Sequence, residues 1–149
     1  MEFVMCPIGV IHSPFTERRQ TPHQSSCSQT VGQVEVQPEF VEGLRDIEGF
    51  SHIILLYVFH CASGYALRVQ SPLDRKLHGL FATRHPYRPN AIGLSVVRLL
   101  HRHATILEVE GIDVLDGTPL LDIKPYVPGF DAHLDEVRTG WYAGQTVQS

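Results

Sequence analysis

Short apolar runs of strand length, cut every few residues by glycine or proline, are the feature that most limits the folds open to this chain. Gly32-Gln33-Val34-Glu35-Val36-Gln37 alternates with a period of two, the pattern of a half-buried strand. Ile53-Ile54-Leu55-Leu56-Tyr57-Val58-Phe59 is apolar on both faces and reads as a central strand. Phe3 to His12, Val31 to Phe40, Ile92 to Leu100 and Thr105 to Val114 continue the β pattern. Helix is scarce: Glu39 to Ile47 has room for one or two turns, and little else repeats at 3.6 residues. Close punctuation by Gly and Pro favours a closed or sandwich-like all-β architecture over a parallel α/β sheet. The glycine-rich strand-to-helix turn of a nucleotide-binding Rossmann domain is missing.

Composition sets outer bounds. A chain of 149 residues, 43% hydrophobic, can build one core. The β pattern ends near Phe130, so residues 1–130 are assigned to the β domain and 131–149 to a polar tail carrying Trp141 and Tyr142. Thr16 to Gln29 is polar and reads as a mobile loop. The net charge of −4 gives no overall attraction to nucleic acid, so any RNA contact must come from a local basic patch. Cys6, Cys27 and Cys61 are odd in number, lack metal spacing and follow no signal peptide, which points to reduced thiols in a cytoplasmic protein. No apolar run approaches the roughly 20 residues of a membrane helix.

Two segments carry the chemistry. In Phe81-Ala82-Thr83-Arg84-His85-Pro86-Tyr87-Arg88-Pro89-Asn90-Ala91-Ile92-Gly93-Leu94, two X-Pro steps push the preceding residues out of the helical region. Arg84, Arg88 and Asn90 therefore stand on a stiff, extended backbone. In Asp116-Gly117-Thr118-Pro119-Leu120-Leu121-Asp122-Ile123-Lys124-Pro125-Tyr126, charges again sit between prolines and beside a Gly turn. Both are read as polar loops forming two sides of a pocket.

These runs, with Ile8-Gly9-Val10-Ile11-His12-Ser13-Pro14-Phe15, Gly43-Leu44, Gly49-Phe50-Ser51-His52 and Phe59-His60, resemble the TrmO/TsaA-like family of S-adenosylmethionine-dependent methyltransferases. The resemblance covers most of the chain in fixed order. It implies a small closed β-barrel, S-adenosyl-L-methionine as cofactor, a homodimer, and tRNA as substrate, methylated at N6 of threonylcarbamoyladenosine next to the anticodon. Larger relatives carry a further carboxy-terminal domain, and this chain resembles the minimal form. By the same resemblance the cofactor contacts fall on Ser25, Ser26 and Cys27, on His60 and Cys61, on Arg84 and Leu94, and on Glu110, Gly111, Ile112 and Asp113. Arg84 is the natural donor to an anionic group, and Leu94 would supply apolar surface beside the adenine. An acceptor nitrogen that already carries a carbamoyl group is a poor nucleophile and gains from proton removal. Asp113, Asp122 and Asp116 are the candidate bases, with His60 and His85 behind them. Arg88, Asn90, Lys124 and Tyr126 are the candidate substrate contacts, and Arg68, Arg84, Arg88 and Lys124 the candidate basic patch.

Blander readings stand beside these. Asp116-Gly117 is in itself a turn signal, Asn90 can cap a turn, and His52 reads as a structural histidine. His101 and His103 share a strand face but lack a third ligand, so no metal site is expected. The family commonly has a small residue in place of His85 and proline in place of Ala91, and a change at His85 bears on substrate choice. Two alternatives to the tRNA reading remain: a methyltransferase of the same family acting on a small molecule or another RNA, and a non-catalytic S-adenosylmethionine-binding sensor.

Overall fold

The computed structural model describes residues 1–22, 28–133, 135 and 137–145. Six strands close into a barrel: β1 (Gly9–His12), β2 (Val31–Val36), β7 (Ile106–Glu110), β6 (Ile92–His103), β3 (His52–Val58) and β8 (Thr118–Pro125), in that order around the wall. Every neighbouring pair is antiparallel. Closure leaves no free sheet edge in the wall, which is how a short all-β chain satisfies its backbone groups. The all-β barrel expected from the sequence is what the structure contains.

Alternation decides which side chains enter the barrel. Gly32, Val34 and Val36 of β2 are buried while Val31, Gln33 and Glu35 face out. Ile53, Leu55 and Tyr57 of β3 point in, and Leu107 and Val109 of β7 join them. Ile11, Val97, Ile112 and Leu120 complete a core in which each of these four is at most 1% exposed. Burial of each such aliphatic side chain is worth roughly 1.5–3 kcal/mol, so the barrel interior supplies most of the driving force for folding.

Among the described residues helix is confined to short pieces, including 3-10 segments at Pro38–Leu44 and Ile47–Gly49, within the stretch where the sequence leaves room for one or two turns, and the four-residue α1 (Pro128–Asp131). Strand bounds are tighter than the β pattern suggested. Of Phe3 to His12, only Gly9–His12 is strand, and Phe3, Val4 and Met5 project into solvent. The larger departure is the run from Asp116 to Tyr126, read as a loop. Its greater part is β8, the strand that closes the barrel between β3 and β1. Its prolines are tolerated by position: Pro119 pairs with Val10 of β1 before β3 joins at Leu120, and Pro125 ends the strand.

Register places three connections at one rim. β1 ends at His12 where β2 begins, β3 ends at Val58 opposite Ile92 of β6, and β7 ends at Glu110 opposite Val31. The segments 13–22, 28–30, 59–91 and 111–117 therefore join the wall at the same mouth. The 59–91 segment folds on itself as a hairpin of β4 (Arg68–Gln70) and β5 (Leu77–Gly79). Against it rests the tail: Trp141 stacks on His78 at 4.0 Å, and its indole N–H donates to the Ala82 carbonyl at 2.7 Å. His78 is held from below by Asp74 at 2.8 Å.

Candidate active site at the mouth of the barrel

At the mouth, the inner face of β3 and β6 carries a polar chain inside an otherwise apolar barrel. The Tyr57 hydroxyl lies 2.7 Å from Ser95 Oγ, and Ser95 Oγ donates to Asp113 Oδ1 at 2.6 Å. Since the one Ser95 proton goes to the carboxylate, the phenol is the donor in the first bond. Tyr57 and Ser95 are each 3% exposed. The ring reaches Ser95 because position 93 is glycine: a Cβ there would stand 2.1 Å from Tyr57 Cε2 and 2.6 Å from Cζ. Burial drives the Tyr57 phenol well above its ordinary range, and the Asp113 carboxylate adds to the rise. The Arg84 guanidinium opposes it. Arg84 and Asp113, from two different rim segments, thus act electrostatically on one buried hydroxyl.

The turn that delivers Asp113 is built by backbone bonds. Gly111 takes φ of +106°, a conformation that side-chain-bearing residues rarely adopt, and its N–H and that of Ile112 both reach the Thr30 carbonyl at 2.9 and 3.2 Å. Ser28 Oγ donates to the Ile112 carbonyl at 2.7 Å and Ser13 Oγ to that of Val114 at 2.6 Å. Ile112 itself is 1% exposed and plugs the barrel, so its side chain is core. Glu110 ends β7, half-buried.

The loop bearing Arg84 is stiffened from within. Arg88 donates through Nη1 to the carbonyls of Thr83 and His85, both at 2.9 Å, so its guanidinium holds the loop together in addition to whatever else it meets. Arg18 lies 5.0 Å over the Tyr87 ring and ties the 13–22 segment to this loop. Burial holds the His85 imidazole below its ordinary range, with the Arg18 and Arg88 charges acting in the same direction. Asn90 is exposed, and its carbonyl accepts from Ile92 N at 2.7 Å, a turn geometry.

The remaining candidates divide. His60 and Cys61 follow β3 at the mouth, exposed, in a turn closed by His60 N to the Val58 carbonyl at 2.9 Å. Asp116 is engaged in a turn: Oδ1 accepts Ser13 N–H at 3.0 Å and stands 3.7 Å from His12 Nδ1. Leu94 and Asp122 lie on the outer wall, in one row with Leu56 across β6, β3 and β8. Leu94 is 47% exposed, and Asp122 pairs with Lys124 at 2.9 Å. Beside them runs a shallow groove of about 410 Å³ lined by Met5, Cys6, Leu56, Ile92, Leu121 and Asp122. Lys124 and Tyr126 sit further along, at the opposite end of the barrel, where Tyr126 N bonds the His52 carbonyl at 3.2 Å. One chain therefore does not bring Lys124 and Tyr126 to the loop that carries Arg88. Ser25, Ser26 and Cys27 lie outside the described residues. Among the described residues no three His, Cys, Asp or Glu side chains are grouped to hold a metal, and no helix is long and apolar enough to cross a membrane.

Residues 10–132 match the family model of the tRNA-methyltransferase O N-terminal domain. The chain belongs to this family. A probable S-adenosyl-L-methionine-binding protein of Pyrococcus abyssi is 57% identical over 136 residues, 91% of this chain and 73% of that one. The tRNA (adenine(37)-N6)-methyltransferase of Rattus norvegicus is 39% identical over 134 residues, 85% of this chain but 31% of the rat protein. Among solved structures, TrmO from Pseudomonas aeruginosa superposes with a TM-score of 0.83 at 43% identity, over 98% of this chain and 65% of that one. The chain thus spans about a third of the rat relative and just under two thirds of the bacterial structure.

Two residues of the mouth carried no assignment from the sequence, Tyr57 and Ser95. Both sit in strands that read as continuous apolar wall, and only one signal marked them. A tyrosine in an inward-facing position needs a partner for its hydroxyl. Gly93, in the same segment as the arginines, is the residue that makes room for it.

Proposed function

We propose that this protein is an S-adenosyl-L-methionine-dependent methyltransferase that methylates N6 of the adenosine next to the tRNA anticodon, in its threonylcarbamoyl form. The observation that carries the reading is the Asp113 carboxylate bonded to Ser95 at the barrel mouth, with Arg84 on a second stiff rim segment whose charge acts on the same buried Tyr57 hydroxyl. S-Adenosylmethionine ends in a zwitterion and carries hydroxyls and a sulfonium, so it asks for this pair of charges beside apolar surface. The donor set fits: Arg84 addresses the carboxylate, Asp113 the cationic or hydroxyl groups, and the backbone of Glu110 to Ile112 the adenosine. His60 and Cys61 border the same space in this reading, and Ser25, Ser26 and Cys27 are assigned to the cofactor by the family resemblance alone.

The cofactor supplies an electrophilic methyl group, and the protein supplies alignment. The adenosine N6 gains the methyl and loses its proton to a carboxylate, for which Asp122 is the candidate. Orientation alone accounts for up to about 7–11 kcal/mol of barrier when the bound geometry is close to attack. Arg88, Asn90, Lys124 and Tyr126 are assigned to the RNA, with Arg68 and Arg84 adding positive charge that offsets the acidic chain. The outward placement of Leu94 and Asp122, on a wall with exposed Ile92 at 41% and Met5 at 60%, favours a homodimer in which one copy's wall faces another's mouth. Such an arrangement also brings Lys124 within the compass of a shared site. A protein with this role works in the cytoplasm, where mature tRNA is handled.

The test is incubation with isotopically labelled S-adenosylmethionine and bulk tRNA carrying or lacking threonylcarbamoyladenosine, followed by nucleoside mass spectrometry. Label on N6 of the carbamoylated nucleoside alone is expected. Cofactor binding without any label moves the weight to a small-molecule enzyme or a sensor. Arg84→Ala is expected to weaken cofactor binding at least about tenfold, the loss of one charge-assisted contact, and unchanged affinity would remove Arg84 from the cofactor site.

A further inference from the structure

We propose that Tyr57 and Ser95 are positioning residues which donate in sequence to Asp113 and hold its carboxylate as an oriented anion, an acceptor for the cofactor's cationic or hydroxyl groups and a poor proton acceptor. The inference rests on the reading of the mouth as the cofactor site.

Geometry fixes the direction of the chain. Both bonds are short, 2.7 Å from Tyr57 to Ser95 and 2.6 Å from Ser95 to Asp113 Oδ1, and the second has the length of a charge-assisted bond. Ser95 has one proton, and Asp113 in its ionised form only accepts, so the chain runs from phenol to hydroxyl to carboxylate. Tyr57 and Ser95 are buried at 3% exposure, in surroundings where a donor to an anion counts for more than in water. A phenol placed there serves no packing need that phenylalanine would not meet. Its site is also specifically provided for, since Gly93 leaves the ring room that any side chain would take.

Consequences for Asp113 follow from elementary hydrogen-bond chemistry. Donation to a carboxylate stabilises its charged form, and a second donor behind the first polarises it further. Charges from two rim segments act on the Tyr57 hydroxyl, the Arg84 guanidinium from the loop before β6 and the Asp113 carboxylate from the turn after β7. Asp116, three residues on, is occupied at Ser13 and His12. Held in this way, Asp113 keeps its charge and its orientation through the cycle. Proton removal from the acceptor then falls to another group.

The experiment is an NMR titration of the Asp113 carboxyl carbon in the whole chain, in the parent, Tyr57→Phe, Ser95→Ala, Ser95→Thr and the Tyr57→Phe/Ser95→Ala double variant. Loss of a hydrogen bond to a charged group should raise the Asp113 midpoint by about 1–2 pH units in Ser95→Ala. Tyr57→Phe should raise it by a smaller amount, Ser95→Thr should leave it near the parent, and the double variant should add nothing to Ser95→Ala. In parallel, S-adenosylmethionine affinity of Ser95→Ala should fall as pH drops below the raised midpoint and recover above it, whereas a merely structural defect would weaken binding equally at every pH. An Asp113 midpoint that is the same in all variants overturns the relay and leaves the cofactor reading standing. Variants that show the shifts, with a parent that binds no S-adenosylmethionine, overturn the cofactor assignment and leave the relay in place as an anionic acceptor.

Discussion

Replacing Gly93 by alanine tests the packing that puts the Tyr57 hydroxyl on Ser95. The new Cβ would lie 2.1, 2.6 and 2.8 Å from three atoms of the Tyr57 ring, distances at which the ring must move. Tyr57 is 3% exposed, so the movement takes place inside a packed barrel. Overpacking of this kind costs roughly 1–3 kcal/mol. Against it stands a gain of about 0.5–1 kcal/mol from replacing glycine in a strand, where it is entropically unfavourable. The net loss should appear as a melting temperature lower by about 2–4 °C for each kcal/mol in a chain of this size. A double-variant cycle with Tyr57→Leu separates the two contributions, because removing the ring removes the clash. Gly93→Ala should destabilise the parent and be neutral or stabilising, by up to about 0.5–1 kcal/mol, in the Tyr57→Leu background. Urea unfolding of the four proteins, followed by far-UV circular dichroism, measures the coupling. An equal cost of Gly93→Ala in both backgrounds would refute the steric account and with it the reason given for glycine at this position.

His85 should impose a pH dependence on stability. Its native imidazole titrates below the ordinary value, so the unfolded chain binds the proton first. Stability is then full above about pH 6.5 and declines as pH falls from there toward the depressed native value, and His85→Gln should flatten this part of the profile in thermal melts taken between pH 4.5 and 8. Ala104, in the turn between β6 and β7, has φ of +55°, and Ala104→Gly should stabilise by up to about 1 kcal/mol by relieving the left-handed conformation, measurable in the same urea assay. Arg102 donates to the carbonyls of Leu44 and Ala104 and to Glu48, joining the β6–β7 hairpin to both 3-10 segments between β2 and β3. Arg102→Met should lower the midpoint of chemical unfolding, chiefly through the part-buried bond to the Leu44 carbonyl, and an unchanged midpoint would show that these bonds are replaced by water.

How far the chain could be read in advance differed by region. Period-two alternation in β2 and β7, and the doubly apolar run of β3, pointed to the right elements because the barrel has one buried face and β3 is flanked on both sides. The run from Asp116 to Tyr126 misled because proline and charge are local signals of a loop. What makes it a strand is its place between two partners, with Pro119 ahead of the point where β3 joins. The expected pairing of Arg88 with Lys124 across one pocket failed for the same reason. A strand seen as a loop hides the fact that its two ends lie at opposite ends of a barrel.

The sequence by itself determined the fold class, the family, and the rim segments that carry Arg84 and Asp113, because periodicity, Gly and Pro spacing and ordered motifs are properties of neighbours along the chain. Only the tertiary structure decided that Tyr57 and Ser95 belong with Asp113, that Ile112 is a plug, and that Leu94 and Asp122 stand on the outer wall. The physical reason is register. Whether a strand residue faces the core or the solvent, and which residue of a distant strand it meets, is set by pairings between segments far apart in sequence, and a shift of one position would exchange the two faces.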